Sequence, residues 1–162
     1  MTSKPSVNLG IDMGDRGYIC ILYQDKTVDF ISTSPDNNKL FSELSSLIEN
    51  YTIESCIVEE VRNIFGASSK SNFKFGYNVG FVEGVLFSLK INYQKLQPKE
   101  WHKHYDIKEH GKKIKHEVAY KIKLLYPEVI LTTVNGTLQD GKSDSLALAG
   151  IGQALSKQGI II

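Results

Sequence analysis

Two cysteines, four prolines, no apolar run long enough to cross a membrane and a formal net charge of +1 set the first limits on this 162-residue chain. Two cysteines cannot make a disulfide framework. Cys20 and Cys56 both fall in apolar, strand-like runs, as small buried hydrophobes in a reducing compartment do. A bilayer needs about 20 consecutive apolar residues, and none of the runs approaches that. The opening MTSKPSVN carries no signal-peptide apolar region. A cytoplasmic protein with no membrane partner is expected. Internal repeats, low-complexity segments and linker-like stretches are also missing. The chain, 1–162, is therefore expected to be one domain, large enough to bury roughly two-thirds of its unfolded surface.

The total charge excludes any argument for a polyanionic partner from net balance, but its distribution does not. Between Lys90 and Lys123 there are ten lysines against four acids (Glu100, Asp106, Glu109, Glu117), and all four histidines lie in the same stretch. A basic stripe of this kind suits phosphates. It would equally suit a solvated helix face.

What is present reads as a mixed α/β chain. VNLGID (7–12), YICILY (18–23) and TVDFIS (27–32) alternate or enrich apolar and β-branched residues as strands do. Pro35, Asp36 and Asn37 mark a turn, and Leu40, Phe41, Leu44, Leu47 and Ile48 recur at helical spacing to about Asn50. CIVEEV (56–61) is a fourth strand and INYQKLQ (91–97) a fifth. Between them 68–90 reads as a long helix, or as a loop followed by a helix. Its Gly76, Gly80 and Gly84 repeat on one stripe, each costing about 1 kcal/mol of helix propensity, which points to another backbone close by. Helices near 99–104, 111–126 and 142–157 complete the pattern, a hairpin edge followed by alternating units.

The chemistry lies in the acids. Asp144 shares a helical face with Leu148, Ile151 and Leu155, so it points toward the core and needs a positive partner: Arg16, a lysine or a divalent ion. Asp140 is one turn earlier, where an N-cap is the bland account. In VNLGID, Val7, Leu9 and Ile11 share one face, and Asn8, Gly10 and Asp12 the other. Asp12 and the pair Glu59–Glu60 each end a strand. Strand-end acids are often only turn residues. Two strand ends and a helix start can nevertheless converge, and three or four carboxylates make an oxygen-rich site for Mg²⁺ or Mn²⁺. Two such ions about 4 Å apart serve in-line phosphodiester hydrolysis.

GIDMGDRG followed by a hydrophobic strand resembles the opening of RuvC-family Holliday junction resolvases. CIVEEVRNIFGASSKSNFKFGYNVG looks like the second motif in its phage-encoded variant. LQPKEWHKHY matches that group's strand-to-helix segment, and DGKSDSLALAG is similar to its terminal acidic helix. Order and spacing agree from about 7 to 155. The resemblance implies a ribonuclease H-like fold, a mixed five-stranded sheet flanked by helices. It also implies a homodimeric endonuclease that depends on Mg²⁺ (or Mn²⁺), with two ions per subunit. Such an enzyme acts on branched DNA, above all four-way junctions, in the bacterial or phage-host cytoplasm, and needs no nucleotide cofactor. Asp12, Glu59, Asp140 and Asp144 fall where the family binds metal, with Glu59 matching better than Glu60. The last two acids stand four apart here and three apart in the cellular enzymes. The position of the aromatic that follows the second acid holds Arg62, with Phe65 as a substitute. The lysine of the penultimate helix falls among Lys112, Lys113 and Lys115, with Lys112 and Lys115 as catalytic candidates. Arg62, Phe65, Lys70, Lys74, Lys99, Lys103 and Lys113 are the expected DNA contacts. Three rivals stand beside this reading: a flap or fork nuclease of the same fold, an actin- or Hsp70-like nucleotide-binding lobe, and a junction-binding protein without catalysis.

Overall fold

Short β-branched runs and one amphipathic helix set the frame. The computed structural model describes residues 4–14, 16–34, 39–60 and 66–160. Strands β1 (Ser6–Ile11), β2 (Tyr18–Tyr23) and β3 (Val28–Ser32) form an antiparallel meander. Helix α1 (Leu40–Asn50) buries Leu40, Leu44 and Leu47 along one stripe, each burial stabilising by about 1.5–3 kcal/mol. The chain then returns as β4 (Thr52–Glu59), parallel to β1. Helix α2 (Ser69–Ser88) leads to β5 (Gln94–Leu96), parallel to β4. Helices α3 (Pro98–His104), α4 (Ile114–Leu125) and α5 (Asp140–Lys157) follow, with a 3₁₀ turn over Gly111–Lys113 before α4. The strand order is β3-β2-β1-β4-β5. The result is the expected mixed five-stranded sheet flanked by helices. Among the described residues no helix is long and apolar enough to cross a membrane.

Period-two alternation divides the core between the two faces of the sheet. Val7, Leu9, Ile11 and Val58 meet α1 and α2 through Leu40, Leu44, Val82 and Leu86. Cys20, Leu22 and Ile57 meet α3, α4 and α5 through Trp101, Val118, Ile122, Leu146 and Leu148. Both cysteines are buried and unpaired. Three boundaries differ most from expectation. The strand expected over 56–61 begins four residues earlier, at Thr52, and is described to Glu59, with residue 61 outside the described residues. The strand expected over 91–97 is confined to 94–96, because the end of α2 takes the preceding backbone: Lys90 adopts φ 56°, and the N–H of Ile91 donates to Leu86 O at 3.0 Å. The last helix begins at Asp140, two residues before the expected start.

Candidate active site

The sheet delivers two acids to one edge. β1 and β4 are parallel neighbours, so Asp12 and Glu59 both lie at their carboxyl ends. Parity decides between Glu59 and Glu60. Glu59 shares the face of Ile57, which packs toward α3–α5, as Asp12 shares the face of Gly10. The adjacent Glu60 points to the other face, and its backbone N–H donates to Leu96 O at 2.7 Å.

Helix α5 supplies the other two. Asp140 is its first residue, and Gln139 takes the N-cap position without a side-chain cap bond, so capping does not account for Asp140. Four residues on, Asp144 lies on the same side of the helix. Two glycines let α5 reach the sheet. A Cβ on Gly10 would overlap the Ser145 carbonyl oxygen and the Ala149 backbone. One on Gly141 would overlap the Arg16 carbonyl oxygen and lie 2.9 Å from Asp12 Oδ2. Sequence reasoning missed both glycines, although a glycine inside a strand signals close backbone approach.

Asp12, Asp140 and Asp144 border one cleft of about 410 Å³, together with Gly14, Arg16, Lys115 and Gly141. Asp12 Oδ1 accepts the Gly14 N–H at 3.1 Å. Lys115, on the first turn of α4, is hydrogen-bonded and ion-paired to Asp140, which raises its pKa. Burial pushes Asp12 up to about 6, with the charge of Asp140 adding to the shift against the Gly14 bond. Burial and then Asp12 push Glu59 up to about 7, against a hydrogen bond from Trp101 Nε1 to Oε1 at 3.0 Å. Asp144 is raised well above the usual carboxylate range, first by burial and then by Asp12, Glu59 and Asp140. Its Oδ1 is buried and has no hydrogen-bond partner among the described residues. Crowded acids whose charge is penalised, one with an orphaned oxygen, form a donor set that a divalent cation fits, since its charge would stabilise the ionised forms. Among the described residues no three acid, histidine or cysteine side chains are already drawn together as a cation cage. Asp12, Asp140 and Asp144 line the cleft, and Lys115 engages Asp140.

Of the three candidate lysines, Lys115 alone is brought to the acids. Lys112 and Lys113 sit exposed on the 3₁₀ turn. Lys142, beside the acids in sequence, lies over the rings of Tyr18 and Phe30, 5.3 Å from each centroid. Lys70 and Lys74 are exposed on the first turns of α2, Lys99 and Lys103 on α3. Helices α2 and α3 follow the parallel strands β4 and β5, so they begin at the edge that carries the acids. Arg62 and Phe65 lie outside the described residues.

No protein-family model matches the chain, and no curated protein does. Solved structures do. Thermus thermophilus RuvC in complex with a Holliday junction substrate superposes with a TM-score of 0.64 at 17% identity, covering 96% of this chain and 97% of that one. A second Thermus thermophilus RuvC structure gives 0.59 at 18% identity, covering 95% and 97%. At such identities the likeness is one of architecture: this chain has the ribonuclease H-like α/β fold of RuvC.

Proposed function

We propose that this chain is a metal-dependent, structure-selective endonuclease of the phage-type RuvC-like branch. It resolves four-way or other branched DNA by paired phosphodiester hydrolysis, leaving 5′ phosphate and 3′ hydroxyl ends. One observation carries the reading. Partly buried acids at the carboxyl ends of β1 and β4 and on α5 lie on one side of the sheet, and Asp144 keeps a buried oxygen that no group among the described residues satisfies. The fold is that of a RuvC solved with a Holliday junction substrate, which supports DNA as the partner. All 162 residues would form one nuclease domain.

Asp12, Glu59, Asp140 and Asp144 are the groups that would hold Mg²⁺ or Mn²⁺, two ions per subunit. Such ions lower the pKa of a bound water and stabilise charge on the phosphate oxygens. The protein's own groups prepare that chemistry. Gly14 fixes Asp12 through its N–H. Lys115 sits where its ammonium can turn from Asp140 to a phosphate oxygen and offset developing charge. Lys70, Lys74, Lys99, Lys103, Lys112 and Lys113, with Arg62 and Phe65, would grip the backbone, positioning without reading sequence.

Two opposed nicks need two sites, hence a homodimer with the same patch on both subunits. Its candidate surface is α2, where a Cβ on Gly76, Gly80 or Gly84 would meet nothing within 4 Å among the described residues, and Phe73 and Tyr77 are exposed. The protein would work in the cytoplasm of a bacterium or phage host, without a nucleotide cofactor.

The test compares a synthetic four-way junction with duplex and flap DNA, with and without Mg²⁺. Paired, Mg²⁺-dependent nicks at the junction are expected, with Ca²⁺ supporting binding but not turnover. Flap cleavage that exceeds junction cleavage, or cutting without added metal, would defeat the reading.

A further inference from the structure

Trp101 is the chain's single tryptophan, and it is buried to 1% exposure on α3. An indole has one N–H and no acceptor, so a buried tryptophan usually spends it on a partner. Here the partner is Glu59 Oε1, at 3.0 Å, from a residue 42 positions away. The helix that carries it is short but firmly placed. Pro98 occupies its first turn. Gln97 and Glu100 form a capping box, the Glu100 side chain accepting the Gln97 N–H at 2.8 Å. Just past the helix, Tyr105 donates its hydroxyl to the Ala147 carbonyl of α5 at 2.7 Å. So α3 is tied to β4 from its middle and to α5 just past its end, and these two elements carry Glu59, Asp140 and Asp144.

We propose that Trp101 is a positioning residue for the carboxylate site. Its indole N–H holds Glu59 by one oxygen and leaves the other for a cation shared with Asp12 and Asp144, whose charges act on Glu59 and on each other. This rests on the metal-site reading above. A phenylalanine at 101 would keep an aromatic ring in the core and remove the donor, leaving Glu59 free to rotate. Groups that orient a ligand in this way typically change metal affinity by about 10–100-fold when removed.

Because the tryptophan is unique, the full-length protein gives one indole N–H cross-peak in a ¹H–¹⁵N spectrum. On titration with Mg²⁺ that peak is expected to shift along a saturating curve, and Mn²⁺ should broaden it away. Free Mn²⁺ measured by electron paramagnetic resonance gives binding independently of activity. Trp101→Phe should weaken it by about 10-fold or more while the protein still melts cooperatively. Glu59→Gln should keep the indole peak near its place and abolish its Mg²⁺ response. If Mn²⁺ binds the wild type but the indole peak neither shifts with Mg²⁺ nor broadens with Mn²⁺, the positioning role is wrong and the metal site stands. Wild-type Mn²⁺ affinity in Trp101→Phe would overturn the positioning role in the same way. If the wild type binds no Mn²⁺ at all, the metal-site reading falls and this inference with it. The wild-type spectrum decides even where the phenylalanine variant does not fold.

Discussion

Helices α2 and α5 are of similar length, 20 and 18 residues, and both are rich in glycine, yet they use it in opposite ways. In α5, Gly141 and Gly152 are pressed against the sheet side, where a Cβ would overlap Arg16 and Ser55. Around them Ser143, Ser145, Leu146, Ala147 and Leu148 are wholly buried. In α2, Gly76, Gly80 and Gly84 face open space, and Phe73 and Phe87 are 77% and 84% exposed. One helix spends its small residues on reaching the sheet, which brings two acids to Asp12 and Glu59. The other spends them on a surface that nothing among the described residues covers. The same residue type therefore marks a site in one place and an unpartnered face in the other, and only the neighbours tell them apart.

The sharpest way to break that comparison is chemical. Asp144→Asn keeps the shape of α5 and removes the charge, so junction cleavage should fall on the order of a thousandfold, several kcal/mol of lost transition-state stabilisation. Junction affinity should hold, because the basic residues carry it. The melting temperature should not drop, since a desolvated acid has been neutralised. Cleavage at the wild-type rate would remove α5 from the chemistry. Next in size comes Gly10→Ala. The new methyl meets backbone of α5 and not a flexible side-chain tip, so the helix must shift. A loss of about 3 kcal/mol, or roughly 6–12 °C of melting temperature, is expected. A thermal scan showing no change would mean that α5 does not need its close seat.

Much of this is legible in the chain, and the failures have causes. Alternation in VNLGID places Gly10 and Asp12 on one face, as found, because a half-buried strand leaves little freedom of register. Apolar spacing after Asp144 aims that acid inward, as found. The glycine stripe of α2 predicts close backbone approach. Among the described residues there is none, because helical spacing shows which residues share a stripe and not which stripe is covered. The choice among Lys112, Lys113 and Lys115 needs the 3₁₀ turn that throws the first two outward. The bond from Trp101 to Glu59 joins segments whose meeting depends on β5 lying beside β4, which no local pattern specifies.

A smaller effect follows from the partly buried, desolvated acids. In the metal-free protein Asp12 and Glu59 have folded pKa values of about 6 and about 7, above their ordinary values of 3.8 and 4.5. The folded state therefore keeps protons that the unfolded chain releases, and the stability they lend is lost as pH rises from about 4 to about 7. Raising a carboxyl's pKa by one is worth about 1.4 kcal/mol, and mutual coupling and partial hydration reduce the total to the order of 2 kcal/mol, or about 4–8 °C. Melting curves at pH 5 and pH 8 should show that fall without Mg²⁺, and Mg²⁺ should restore more stability at pH 8 than at pH 5. A rise in metal-free stability over the same window would mean that the acids are not crowded as described.

The least effect is expected on α2, and it separates the two helices most cleanly. A methyl at Gly80 meets nothing within 4 Å among the described residues, so within one subunit Gly80→Ala should only gain helix propensity, about 1 kcal/mol or roughly 2–4 °C. That gain should appear at dilutions where subunits are apart. If two copies pack across the stripe, Gly80→Leu should block the close approach and leave the carboxylates in place. That variant should sediment as a folded monomer and make single nicks where the wild type makes pairs. A wild type that sediments as a monomer at micromolar concentration, free and with junction DNA, would leave α2 without this role. A Gly80→Ala protein that melts lower in dilute solution would instead show that something within the same chain already covers the stripe, and the contrast between α2 and α5 would collapse.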